Sequence, residues 1–120
     1  MFCSLKIEPY WFKISSEIVS SSFVEVASKL NKLDFQLIRP ERLKELGLEL
    51  IGGRYCSIQG HIAAQLHLKD IKTGSRFTLY QVPHSKDWPE ESLNNFNAAI
   101  DGVEVSMWVE KGLLLALAGG

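Results

Sequence analysis

Leu46-Gly47-Leu48-Glu49-Leu50-Ile51-Gly52-Gly53-Arg54-Tyr55 is the stretch on which the fold turns. Leu48 to Ile51 read as a strand, a double glycine ends the run, and strand-like sequence resumes at once. Gly52-Gly53 lacks the GxGxxG spacing and opens no helix, so it reads as a turn or bulge rather than a phosphate cradle. Arg54, next to it, is expected on an exposed face. The pattern changes here as well, from helical sequence before Gly47 to strand-rich sequence after it.

Upstream, Ser22-Phe23-Val24-Glu25 has capping-box spacing, in which the serine hydroxyl accepts from the backbone three residues on and the glutamate reaches back. Phe23, Val26, Ala27, Leu30 and Leu33 then recur at helical spacing, which predicts a helix over about 22–33. Pro40 at a first-turn position and Gly47 at a terminating one bracket a helix of one or two turns over Glu41 to Leu46.

Downstream, Ile62, Ala64, Leu66 and Leu68 alternate with His61, Ala63, Gln65, His67 and Lys69, the period of a half-buried strand whose second set faces solvent. Lys72-Thr73-Gly74 reads as a turn into a strand over Arg76 to Val82. Residues 83–94 hold Pro83 and Pro89 and form a long connection of the kind that often carries function. Asp101-Gly102 is a two-residue hairpin turn, pairing Ile100 with Val103, Ala98 with Val105 and Phe96 with Met107. A second tight turn at Lys111-Gly112 pairs Met107 with Ala116 and Val109 with Leu114. The expectation is an α+β chain: an antiparallel β-meander of about five strands with an N-terminal helix packed on one face. Phe23, Leu30, Leu66, Phe77, Val105 and Met107 are its expected core.

A length of 120 residues suits one domain, divided into an N-terminal segment (1–21), a helical part (22–46) and an antiparallel sheet (47–120). With 46% hydrophobic and 22% charged residues and a net charge of -1, the chain carries no electrostatic footprint for nucleic acid. The first twenty residues lack the apolar run of a signal peptide or a membrane span, so the chain as it stands reads as cytoplasmic, or as periplasmic if it is part of a membrane-anchored protein. Cys3 and Cys56 are too few for a disulfide framework and are expected as free thiols, with a single bridge between them as the alternative.

Leu48-Glu49-Leu50-Ile51-Gly52-Gly53-Arg54-Tyr55, Ala63-Ala64-Gln65-Leu66, Phe77-Thr78-Leu79-Tyr80, Asp101-Gly102-Val103, Trp108 and Leu115-Ala116-Leu117-Ala118-Gly119 follow one another in an order and spacing with a precedent. Over roughly residues 22–119 the chain resembles the C-terminal extracytoplasmic domain of transmembrane anti-sigma factors. The resemblance implies a non-enzymatic regulatory or sensor domain in transcription control, acting through a protein partner. The His and paired-Cys zinc motif of many sigma-binding segments has no counterpart here, so the resemblance extends to the sensor part alone.

The reactive side chains assemble no convincing catalytic or metal constellation. His61 and His67 sit six apart on one strand, about 20 Å, too far to share one zinc. His84, Asp87 and the distant Cys56 lack a nucleophile motif. The reading is therefore no enzyme, no metal and no cofactor. The predicted register places Trp108 opposite Leu115, Ser106 opposite Leu117 and Glu110 opposite Leu113, an apolar strip flanked by Thr78 and Tyr80. Trp108, Leu113, Leu115, Leu117 and Tyr80 are thus the candidate surface for a protein partner or a homodimer. The structural alternative is that Leu5 to Ile14, with Trp11 and Phe12, folds over the strip. The functional alternative is a small-molecule binding protein or minor enzyme, with Tyr80, His84 and Trp88 lining a pocket under the 83–94 connection.

Overall fold

A computed structural model describes residues 18–58, 60–84, 96–100 and 102–119. The elements in chain order are β1 (Ile18–Val19), α1 (Phe23–Lys29), α2 (Glu41–Glu45), β2 (Leu48–Ile58), β3 (His61–Asp70), β4 (Arg76–Pro83), β5 (Phe96–Ile100), β6 (Val103–Glu110) and β7 (Leu113–Gly119). Among the described residues the chain is mostly β, with one seven-stranded antiparallel sheet and two short helices.

The sheet order is β1-β2-β3-β4-β7-β6-β5, so the arrangement is not the expected meander. Two runs of neighbouring strands, β2-β3-β4 and β5-β6-β7, join through a β4·β7 seam from Phe77↔Gly119 to Pro83↔Leu113. Composition explains the seam. Residues 113–117 of β7 are Leu-Leu-Leu-Ala-Leu, apolar on both faces, and all five are buried. A strand of that kind belongs in the middle of a sheet, not at its edge. Within the β5-β6-β7 run the sequence-derived pairs hold: Ile100↔Val103, Ala98↔Val105 and Phe96↔Met107 in one hairpin, and Trp108↔Leu115, Ser106↔Leu117 and Glu110↔Leu113 in the next. The second turn uses Lys111 and Gly112, both at positive φ (52° and 77°), as a tight hairpin of this kind requires. Asp101 of the first turn lies outside the described residues.

The double glycine does not end a strand, because β2 runs through it as a single element. Leu50 pairs with Leu68 and Gly52 with His67, leaving Ile51 as the extra residue of a β-bulge. The Ile51 carbonyl accepts the Ser20 N–H at 3.3 Å, and β1 adds to this edge with Ile18↔Gly53 and Val19↔Gly52. A Cβ on Gly52 would stand 2.3 Å from the Ile18 carbonyl oxygen. One on Gly53 would stand 2.9 Å from Leu66 Cδ2 and 3.1 Å from Val26 Cγ1. The glycines thus let an edge strand and a helix approach the same spot. The bulge also resets the alternation: Leu48 and Leu50 face the helices before it, and Gly53 and Tyr55 do so after it. Arg54 and Cys56 turn to the opposite side.

α1 is shorter than the predicted 22–33. Ser22 caps it, its hydroxyl accepting the Glu25 N–H at 3.2 Å, but Ser20 Oγ accepts the Ser22 N–H and so takes the glutamate's role in the capping box. At the other end the Lys32 N–H donates to the Tyr55 hydroxyl at 2.8 Å, a tertiary bond that replaces the next helical turn. Residues 30–40 then cross the sheet as an arm, with Leu33, Phe35, Leu37 and Ile38 packed on the core. Gln81, fully buried, fastens this arm: its Oε1 accepts the Ile38 N–H at 3.0 Å and its Nε2 donates to the Ile38 carbonyl at 2.7 Å. α2 follows Pro40 and ends before Gly47 (φ 70°), close to the expected bounds.

Both faces of the sheet are buried. The helix-side cluster holds Val26, Leu30, Leu43, Leu66, Leu79, Trp108, Leu115 and Leu117. The opposite cluster holds Cys56, Ile58, Ala63, Tyr80, Val82, Val105, Met107, Leu114 and Ala116. The expected core therefore divides. Leu30 and Leu66 lie on the helix side with the partly buried Phe23 and Phe77, whereas Val105 and Met107 lie on the other side.

Candidate functional site

Trp108, Leu113, Leu115 and Leu117 do converge, but as core. All four are buried in the helix-side cluster, and Leu115 has no exposed surface. α1, α2 and the 30–40 arm supply the cover, so the strip is not left open as the sheet alone implied. The Arg42 guanidinium of α2 stands 4.1 Å from the Trp108 ring centroid, and the indole N–H donates to Glu110 Oε1 at 3.0 Å. The N-terminal stretch Leu5 to Ile14, the alternative cover, lies outside the described residues. Tyr80 is not part of this group, because alternation puts it on the opposite face beside Val82 and Met107.

On that opposite face the registers align one row across the sheet: Arg54↔Gln65, Gln65↔Tyr80, Tyr80↔Ala116 and Met107↔Ala116. Its first three members are polar and buried. The Arg54 Nε–H donates to Gln65 Oε1 at 2.6 Å, and Gln65 Nε2 donates to the Tyr80 hydroxyl at 3.3 Å. Arg54 and Tyr80 each make further interactions. This row is the principal polar feature of the described sheet, and Arg54 is not on an exposed face as the sequence suggested. Gln65 and Ala63 do not face solvent either. Chemically, the row orients a guanidinium and a phenol through a neutral amide. The two hydrogen bonds run from the guanidinium through the amide to the phenol, so the row can position a charge and a hydroxyl.

His61 opens β3 and His67 lies six positions along it, paired with Ile58 and Gly52. Among the described residues no group of three or more His, Cys, Asp or Glu side chains could hold a metal ion. Tyr80 and His84 are separated by four positions at the end of β4, about 13 Å at the strand rise. The His84 N–H donates to the Gly112 carbonyl at 2.9 Å. Trp88 and Asp87 lie outside the described residues. Two open hollows, of about 500 and 510 Å³, flank the 30–40 arm instead, one near Asn31 and Asp34 and the other between Arg39 and Lys111. Neither is lined by Tyr80 or His84.

Cys56, on the second face, is disulfide-bonded, which replaces the expectation of a free thiol. Sequence reasoning missed Gln81 and Tyr55 as anchors of the arm. The signal was present for Gln81: it occupies the same alternating face as Phe77 and Leu79, where a polar side chain must find partners. No protein-family model matches the chain, and no curated protein or solved structure shows significant similarity to it. No described helix is long and apolar enough to cross a membrane.

Proposed function

We propose that this chain is a non-enzymatic sensor domain that works outside the cytoplasm through a protein partner, similar to the C-terminal domain of transmembrane anti-sigma factors. The observation that carries the reading is the disulfide at Cys56. Disulfides persist in the periplasm and other oxidising compartments and are rare in a reducing cytosol, so the bond favours the periplasmic location over the cytoplasmic one. The motif residues behind the resemblance have architectural roles: the double glycine receives β1 and α1, and the Leu115-Ala116-Leu117 run forms the central seam. Such residues support a fold that presents a surface rather than one built around a reacting group.

The test uses cells that make the protein from its own gene. Acid quenching followed by thiol alkylation should find Cys56 oxidised, and deleting the gene should change transcription from promoters read by a sigma factor encoded beside it. A reduced Cys56 in those cells, or unchanged transcription, overturns the proposal.

A further inference from the structure

The two hollows that flank the 30–40 arm are nearly equal in size but differ in the sign of their charge. Phe35, Gln36 and Leu37 line both. The hollow of about 500 Å³ adds Asp34 and no lysine or arginine. The hollow of about 510 Å³ adds Arg39, Lys111 and Leu113 and no carboxylate. We propose that this second hollow is a binding site for a small organic carboxylate with an apolar body, of the class of a medium-chain fatty acid.

Charge and lining together select this ligand class. A cleft walled by one sign of charge concentrates the field against its low-dielectric sides, so it draws an anion. The Arg39 guanidinium offers a fork of donors matched to a carboxylate, and the Lys111 ammonium adds a point charge. Glu110 precedes Lys111 in the chain but does not line the hollow, and its Oε1 accepts the Trp108 indole N–H. The half-buried Phe35, Leu37 and Ile38 and the buried Leu113 supply the apolar part of the lining. Such a surface rewards an apolar tail and disfavours a bare, strongly hydrated anion such as phosphate. The volume also falls within the range of about 300 to 1,000 Å³ usual for small-molecule sites.

Both cationic walls are held in place before a ligand arrives. On the arm, Gln81 clamps the backbone of Ile38, and Arg39 is the next residue. The Arg39 guanidinium stands 5.5 Å from the Phe23 ring centroid, which tethers the charge to α1. On the sheet, Lys111 and Gly112 make the tight β6-β7 turn at positive φ, and the Gly112 carbonyl accepts the His84 N–H at 2.9 Å. Walls set in advance lower the ordering cost of binding. This inference concerns a small ligand and stands apart from the sensor reading, which rests on a protein partner.

A magnetic-resonance titration of the isotope-labelled full chain tests it, with octanoate as the probe and with octanol and acetate as controls for tail and charge alone. Octanoate should saturate a site that shifts the Leu37, Arg39 and Leu113 amides, and should bind at least about fivefold more tightly than either control. Arg39→Gln and Lys111→Asn, the latter suited to the positive φ, should each weaken octanoate binding about fivefold. Asp34→Asn, in the other hollow, should leave it unchanged. Equal affinity for octanoate and octanol, shifts centred on Asn31 and Asp34, or no saturable binding at all overturns the proposal. The comparison of probes uses the wild-type chain, so it decides the matter whatever a variant does to folding.

Discussion

Replacing Gln81 with leucine tests whether the 30–40 arm is held by hydrogen bonds or merely rests on the sheet. Gln81 is fully buried and satisfies both backbone groups of Ile38, at 3.0 and 2.7 Å. Leucine removes both partners, and each backbone group left without one costs about 1 to 3 kcal/mol. The new side chain fills most of the space and recovers about 1 kcal/mol by apolar burial. The net expectation is a loss of about 1 to 5 kcal/mol, read as a lower urea midpoint at unchanged slope. The same variant should lose hydrogen-exchange protection at the Ile38 amide, which ties the loss to this clamp. Gln81→Glu keeps the acceptor but gives up the donor and buries a carboxylate, so at neutral pH it should be at least as damaging. A Gln81→Leu protein within about 0.5 kcal/mol of wild type, with Ile38 still protected, would refute the argument.

Further perturbations probe the layers on either side. Leu115→Lys buries a charge in the helix-side core and should abolish the cooperative transition followed by circular dichroism, whereas a stable variant would mean the strip is open. Gly53→Val pushes methyl groups against Leu66 and Val26 and should cost about 1 to 3 kcal/mol in a denaturant melt. Arg42→Ala removes the cation above the Trp108 ring and should cost about 0.5 to 1 kcal/mol while shifting indole emission. Elemental analysis of the dialysed protein should find no stoichiometric zinc, because His61 and His67 are about 20 Å apart on one strand. One zinc per chain would contradict that.

What could be read from the sequence was local. Asp101-Gly102 and Lys111-Gly112 set the hairpin registers, since a two-residue turn and period-two alternation leave one pairing that keeps apolar residues together. Strand order was not legible. The choice between β5 and β7 as the partner of β4 depends on which strand best tolerates burial on both faces, and the assumption of sequential neighbours hid it. The face assignment failed for a related reason. Treating the sheet as one-sided made Gln65 and Arg54 solvent-facing and left Trp108 and Leu115 exposed, whereas both sides are buried. The end of α1 escaped notice because Tyr55, 23 positions away in sequence, provides the bond that halts it. For the candidate site, residue types were a poor guide: the four strip residues converge as core, and the polar row through Arg54, Gln65 and Tyr80 emerges only from cross-strand register.

The β4·β7 seam also governs the order in which the molecule can be assembled. Its pairs join residues from 30 positions apart (Pro83 with Leu113) to 42 (Phe77 with Gly119), so the middle of the sheet is closed by the last of its seven described strands to be made. Until β7 emerges from the ribosome, β4 is an unsatisfied edge that displays Leu79, Gln81 and Val82 with no strand to receive them. The β2-β3-β4 half, with its helices and bulge, can form early from neighbouring contacts, but it must wait for the remainder of the chain to arrive. Contacts this distant in sequence are slow to form, and the waiting edge is where a chaperone, or a neighbouring nascent copy, would find its opportunity.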